Sequence, residues 1–459
     1  MRIERGQYGI QRKLVSGLFW VLLANLLVKP LWILGIEVGV QNAVGNEAYG
    51  FYYALFSFSY IFNILLDLGV TNFNTRNIAQ HPQLIAKHLS GILGIKLCLM
   101  ALYVVVTFSV GLLMGYGSTE FRLLALLTLC QALNSLILYL RSNFEGLLLF
   151  KWDSLFSVLD RLLMIVICGC LLWGPFREQF NIYWFVYAQL TAYGITALLA
   201  FVVIARKAHF SPLAFHLSPA FFLVILKKSA PFALLVLLMA SYNRIDPILL
   251  RRLAGDADAG VYAGAFRLLD ALTMVAYLVS VPLLPVFSKI CKEQKNASAH
   301  HTLQDVLRLV FWPLMLFAVA AAVLCSVFAG PLMELLYHER YALYVPVFRV
   351  VIFGFIPISL TYIFGTLLTA GGHLRQLNLF AAASLVLNVA VNLLLIPRFG
   401  ATGSAWASLT AQTFMAVAQL LLAIRLFRLP ARTFLPPSPH NIYKNASLLL
   451  NKQKSKDKE

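Results

Sequence analysis

Residues 14–36 read LVSGLFWVLLANLLVKPLWILGI, 23 positions in which the only ionisable side chain is Lys29. At a rise of 1.5 Å per residue, a helix of this length crosses a hydrocarbon core of about 30 Å. Arg2, Arg5, Arg12 and Lys13 precede it, as basic residues precede a secretory signal. The run is nevertheless longer than an h-region of about 7–15 residues and has no small-x-small exit, so an uncleaved first span is expected.

Outward from this run the pattern repeats. Apolar stretches of similar length lie near 48–70, 89–114, 121–140, 155–173, 183–205, 231–250, 260–284, 307–328, 343–370, 377–396 and 402–426. Only 12% of the 459 residues are charged and 60% are hydrophobic, whereas a soluble domain carries about 25% charged residues. The bilayer is the solvent, and the fold class is an all-α integral membrane protein of about twelve transmembrane helices. A soluble cytoplasmic scaffold is excluded. Asp160 and Arg161 interrupt the fifth run.

Basic residues in the loops set the orientation. One set of loops, with both termini, holds roughly 24 of the 37 Lys and Arg residues. The alternate set holds Arg122, Arg177, Arg251, Arg252, Arg340 and Arg398. Both termini are therefore expected in the cytoplasm, and the short outer loops leave no room for an external catalytic domain. Asn296-Ala297-Ser298 and Asn445-Ala446-Ser447 match the glycosylation acceptor pattern by chance, because the topology puts both inside. The six cysteines include no Cys-x-x-Cys pair, and neither a metal site nor a disulfide framework is suggested.

The chain divides into a cytoplasmic N-terminus (1–13), a first lobe of six helices (14–208), a cytoplasmic linker (209–230), a second lobe of six helices (231–428) and a basic cytoplasmic tail (429–459). A short repeat links the lobes. Gly45, Gly50, Tyr52 and Phe56 recur at the same spacing as Gly255, Gly260, Tyr262 and Phe266, each set opening the second helix of its half. Two parallel, pseudo-symmetric six-helix lobes follow, with a binding site where they meet.

An ionisable group inside a span costs about 2.5–3.5 kcal/mol or more, so those present face protein or a water-filled cavity. Seven basic residues fall in or beside spans: Lys29, Lys96, Arg161, Arg244, Arg267, Arg308 and Arg349. Arg308 sits at a helix start, where its side chain can reach the headgroups. By helical rise, Lys29 and Arg244 lie about 20 Å from the inner ends of their helices, and Arg267 and Arg349 about 10 Å from the outer ends. Lys29, Arg244, Arg267 and Arg349 thus share one depth and form the candidate anion-binding set. Against this stands local neutralisation, of Arg244 by Asp246 and of Arg267 by Asp270. Asp246 and Asp270 are also candidates for a coupling proton or sodium ion. Asp67 and the Asp160–Arg161 pair read as edge anchors, and Pro30, Pro247, Pro313 and Pro357 as positions where a span can bend.

Several stretches resemble one family. They are Gly45-Asn46-Glu47-Ala48-Tyr49-Gly50-Phe51-Tyr52, Gly69 followed by Arg76-Asn77-Ile78-Ala79, Pro231-Phe232 with Tyr242-Asn243-Arg244-Ile245-Asp246, and Ile396-Pro397-Arg398-Phe399-Gly400-Ala401-Thr402-Gly403. They are similar to the Wzx-like polysaccharide flippases of the multidrug/oligosaccharidyl-lipid/polysaccharide exporter superfamily. The resemblance implies a V-shaped, alternating-access transporter in the bacterial inner membrane. It would flip an undecaprenyl-pyrophosphate-linked oligosaccharide to the outer leaflet for surface polysaccharide biosynthesis. The implied partners are a lipid-linked anionic glycan, the bilayer and a polysaccharide polymerase or glycosyltransferase, with no nucleic acid. No enzyme activity and no cofactor are expected beyond coupling to a proton or sodium gradient. A peptidoglycan-precursor flippase of the superfamily carries cavity basic residues on helices 1, 2 and 8. Lys29 and Arg267 occupy comparable helices, whereas no basic residue lies within the second span.

Two alternatives remain. A drug or cation antiporter of the same fold should line its cavity with carboxylates, which the first span lacks. A membrane glycosyltransferase or polymerase should carry clustered acidic residues on a substantial outer loop, and the loop with Glu37 and Glu47 is short.

Overall fold

The structure, a computed structural model, describes residues 25, 27–81, 83, 85–175, 177–208, 219–280, 282–292 and 297–434. Secondary structure among them is helical throughout. Ten helices are long and apolar enough to cross a membrane. Two of these ten contain a reversal, at Gly45 (φ 82°, ψ 169°) and at Gly400 (φ 54°, ψ −132°). Both backbones lie where a side chain would be strained, so glycine allows a near-loopless turn between antiparallel helices. Splitting the two gives twelve crossings.

The first lobe comprises α1 (27–44), α2 (46–61), α3 (Ile85–Leu113), α4 (Ser118–Gly146), α5 (Leu159–Trp173) and α6 (Ile182–Ala208). The second comprises α7 (Pro219–Leu253), α8 (Asp256–Ser280), α9 (Ala297–Val327), α10 (Phe355–Ala370), α11 (374–399) and α12 (401–426). Each lobe buries its own core. That of the second centres on Phe348, Phe355, Ile363, Phe364 and Leu367, and that of the first on Leu55, Leu123, Leu127, Met164 and Phe185.

Several boundaries differ from the hydropathy reading. α7 extends back to Pro219, inside the segment assigned to the linker, because proline suits a first helical turn, where its missing N–H is not needed. The fifth span is split, with Phe150–Phe156 ahead of α5; Arg141 Nε donates to Asp153 Oδ1 at 2.7 Å and secures this lead-in. The tenth span is broken into Tyr344–Val351 and α10 by a 3-10 turn. The tail after 434, and Arg2, Arg5, Arg12 and Lys13, lie outside the described residues.

The end of α2 shows how a chain leaves a span inside apolar surroundings. The helix tightens to 3-10 over Phe62–Leu66 and turns through Leu68 and Gly69, both at positive φ, into Val70–Gln80. Lys96 of α3 reaches under the turn, pairing with Asp67 at 2.6 Å and donating to Leu66 O at 3.0 Å. The carbonyl freed by the helix end and the carboxylate are both satisfied by one buried ammonium.

The repeat found in the sequence is the point of contact between lobes. Gly45 and Gly255 share positive φ, and the helices they start, α2 and α8, cross at Gly50 and Gly260. A Cβ added to Gly50 would stand 1.8 Å from Asp256 O, and one added to Gly260 would stand 2.0 Å from Asn46 O. Around this crossing Gln41 Nε2 donates to Gly260 O (2.8 Å) and Asn42 Nδ2 to Leu336 O (2.8 Å), while Tyr344 OH donates to Asn46 Oδ1. Arg251 pairs with both Glu120 and Asp256. This crossing clasps the lobes at one end, and α7 packs along α2 beyond it, where Leu237 joins Phe58, Ile61 and Phe62.

Candidate functional site

From mid-depth to the end opposite the clasp runs a cavity of about 820 Å³. Among the described residues its walls come from α7, α8, α10, α11 and α12, together with Leu284 of the short helix after α8 and Tyr60 of α2. Arg244 and Asp270 stand at the mid-depth end.

Arg244 is held by the facing lobe. Its Nη1 donates to Tyr53 OH at 3.1 Å, and its guanidinium lies 5.3 Å from the Tyr60 ring centroid and 6.0 Å from that of Tyr53. Asp270 adds a carboxylate to the same field. The aromatic faces stabilise the cation without neutralising it, which leaves the guanidinium able to bind an anion.

Arg267 lies nearer the clasp, 3% exposed, with its guanidinium 4.5 Å over the ring of Tyr49. Neither Nη1 nor Nη2 has a hydrogen-bond partner among the described residues. Glu37 and Tyr337 share its surroundings. A buried arginine with open donors is costly unless something completes it.

Asp246 follows Arg244 by two residues, roughly 200° around the helix axis, and points into the second lobe. Its oxygens accept from Tyr262 OH (2.9 Å) and Asn392 Nδ2 (2.7 Å), with Asn388 and Ser408 beside the carboxyl. Asn392 Oδ1, Ser384 Oγ and Ser404 Oγ, on α11 and α12, are buried without a partner among the described residues. The result is a buried carboxylate in an oxygen-rich shell. The local pairing of Arg244 with Asp246 is not formed, because helical spacing sends the two side chains to different faces. Asp270 lies in the fields of both arginines, that of Arg244 being the stronger.

Of the four basic residues expected to share a chamber, Arg244 and Arg267 share the field of Asp270, and Lys29 and Arg349 lie in other surroundings. Arg244 alone of them lines the cavity. Lys29 lies on α1 in the fields of Arg161, Asp160 and Arg141. Arg349 is exposed on Tyr344–Val351, because its neighbours Val347, Phe348 and Val351 take the buried face.

Other participants were not singled out from the sequence. Arg161, read as an edge anchor, donates to Tyr193 OH at 2.9 Å and sits 5.5 Å from the Trp32 ring, making Lys29 and Arg161 a basic pair in the first lobe. The tyrosines holding Arg244 and Arg267 look like ordinary span residues in an apolar run. Asn388 and Asn392, four apart in an otherwise apolar stretch, carried a signal: two amides on one helix face inside a membrane need a shared partner. Among the described residues no group of three or more His, Cys, Asp or Glu side chains could hold a metal ion.

The geometry agrees with comparisons to known proteins. A family model described as polysaccharide biosynthesis protein matches residues 14–291. No curated protein sequence matches the chain. Among solved structures, a multidrug resistance MATE family transporter of the MOP superfamily in an inward-facing conformation superposes with a TM-score of 0.65 at 15% identity, over 89% of this chain and 94% of that one. The lipid II flippase MurJ, in an inward closed conformation, gives 0.64 at 13% identity over 93% and 88%. A MOP superfamily transporter from Pyrococcus furiosus, described by the reverse polarity of its binding pocket, gives 0.63 at 16% identity over 91% and 96%. At these identities the likeness speaks for the fold, which is that of membrane transporters and flippases. The chain belongs to the polysaccharide biosynthesis protein family, and it is a multi-pass membrane protein with the V-shaped, two-lobed fold of the MOP superfamily.

Proposed function

We propose that the chain flips an undecaprenyl-pyrophosphate-linked oligosaccharide from the cytoplasmic to the outer leaflet of a bacterial inner membrane. The observation that carries this reading is Arg244, an aromatic-stacked cation at the mid-depth end of a cavity whose other walls, apart from Asp270, are uncharged. A pyrophosphate cannot cross hydrocarbon unaided, but a fixed guanidinium can hold it while the lipid tail stays in the bilayer. Arg267, with its open donors, and the Lys29–Arg161 pair are further anion contacts that become available as the lobes move. Both termini are taken to be cytoplasmic, so that the clasp closes the outer side and the cavity opens inward. Glycosyltransferases and a polymerase supply and consume the substrate.

Asp246 is the proposed coupling group. Its buried carboxylate, ringed by Asn392, Asn388, Ser408 and Tyr262, suits a proton or a sodium ion, and Asp270 modulates Arg244. A drug or cation antiporter is the second reading, favoured by the MATE likeness and by Asp270 in the cavity wall.

Transport of a lipid-linked glycan by the purified protein in vesicles separates the two. Charge-assisted hydrogen bonds are worth about 1.5–3 kcal/mol, so Arg244→Ala and Arg267→Ala should each lower flipping about 10- to 100-fold at matched membrane levels. Undiminished glycan flipping by the double alanine variant, or export of organic cations in place of the glycan, overturns the proposal.

A further inference from the structure

The cavity divides by chemistry. Its charged groups, Arg244 and Asp270, are at mid-depth. Toward the open end the walls carry the tyrosines Tyr277 and Tyr362 and the glutamine Gln419, with threonines on α10 between them, while Gln412 stands beside Gly354, nearer the charged groups. A pyrophosphate is held best by cations, whereas these groups are neutral and supply ring faces with phenol, hydroxyl and amide groups.

Tyr277 of α8 and Tyr362 of α10 meet edge to face, 6.1 Å between centroids, in the cavity wall. Thr366 and Thr369 donate their hydroxyl protons to carbonyls of their own helix, at 2.6 Å and 2.7 Å, so towards a ligand their oxygens can only accept. Gln419 is 1% exposed, yet it lines the cavity and its Oε1 has no partner among the described residues. Gln412 Nε2 is tied to Ser408 Oγ at 3.1 Å, which orients its amide. The wall thus offers aromatic faces beside neutral hydrogen-bonding groups with acceptor capacity left over.

A ligand that fills this demand has many O–H donors on a scaffold with apolar C–H faces, as a pyranose has. C–H groups pack on aromatic faces and hydroxyls satisfy buried acceptors. We infer that Tyr277, Tyr362 and Gln419 form a neutral-sugar subsite of the second lobe, adjoining Arg244. The inference rests on reading the chain as a flippase of a pyrophosphate-linked glycan and adds which surface reads the sugar. The cavity volume lies within the range of about 300–1,000 Å³ usual for ligand sites, enough for the sugar next to the head and too small for a long glycan. Because these three residues belong to one lobe, the subsite keeps its shape as the lobes rock. Stacking accepts any pyranose with a C–H face, while the acceptors favour sugars rich in hydroxyls.

Binding to the full chain in nanodiscs tests this with two probes, undecaprenyl diphosphate and the same lipid bearing one N-acetylglucosamine. The wild type should bind the sugar-bearing lipid about tenfold more tightly, a difference of about 1.4 kcal/mol. Tyr277→Ala with Tyr362→Ala should bring the ratio close to one and leave affinity for the bare lipid unchanged. Phenylalanine at both positions should retain most of the preference, and Gln419→Leu should lower it. Equal binding of both lipids by the wild type, or an intact preference in Gln419→Leu and the alanine pair, overturns the subsite while the flippase reading stands. Failure of the wild type to bind either lipid removes both. Should the alanine pair not fold, the wild-type ratio and Gln419→Leu carry the decision.

Discussion

A single residue, Ile245, separates Arg244 from Asp246, and the helical turn assigns one to the cavity and the other to the interior of the second lobe. The arginine faces the cavity, whereas the aspartate faces groups of its own lobe. Asp246→Asn keeps an oxygen to accept from Tyr262 or Asn392, so the fold should tolerate it. The variant should bind lipid-linked substrate as the wild type does, while its flipping no longer responds to an imposed proton or sodium gradient. Vesicle transport with each gradient applied separately checks this, and an unaltered response to both assigns coupling elsewhere. The sequence marked Asp246 as ionisable inside a span; its partners on α8 and α11 are more than ten positions away and emerge only on folding.

At the scale of elements, α2 and α8 meet through glycines because no side chain fits between their backbones. Gly50 and Gly260 let the helices approach to backbone contact, the manner in which small residues bring membrane helices together. Leucine at Gly50 should hold the clasp open, since overpacking costs about 1–3 kcal/mol and α2 can relieve it by swinging away from α8. Ala263, 2% exposed at this contact, reports on it. In a background without the native cysteines, Ala263→Cys should resist a membrane-impermeant maleimide and become reactive when Gly50→Leu is added. Continued protection would mean that the helices absorb the leucine without separating. The repeat of glycines was legible before the fold, as a spacing, but its meaning as a contact between the two copies was not.

For the whole molecule, the clasp at one end and the cavity at the other describe one side of an alternating-access cycle. Glu178, between α5 and α6, and Lys292, beyond α8, are both exposed and lie at opposite ends. Single cysteines there should be labelled from opposite sides of intact cells, with Glu178→Cys reactive outside and Lys292→Cys only after permeabilisation. The reverse pattern would put the clasp on the cytoplasmic side and invert the direction of opening.

Hydropathy alone was sufficient for twelve crossings, because membrane insertion acts on local composition. Spacing also located the repeat, Gly45 to Phe266. Azimuth and contact were beyond it. Depth put Lys29, Arg244, Arg267 and Arg349 in one layer, yet a layer spans the whole bundle, and packing sent Lys29 to Arg161, Arg267 to Tyr49 and Arg349 to the exterior. Which face of a helix turns inward depends on neighbours contributed by distant segments. The partners of each charge, the acceptor-rich wall at Gln419 and the crossing at Gly50 were therefore settled when the helices packed.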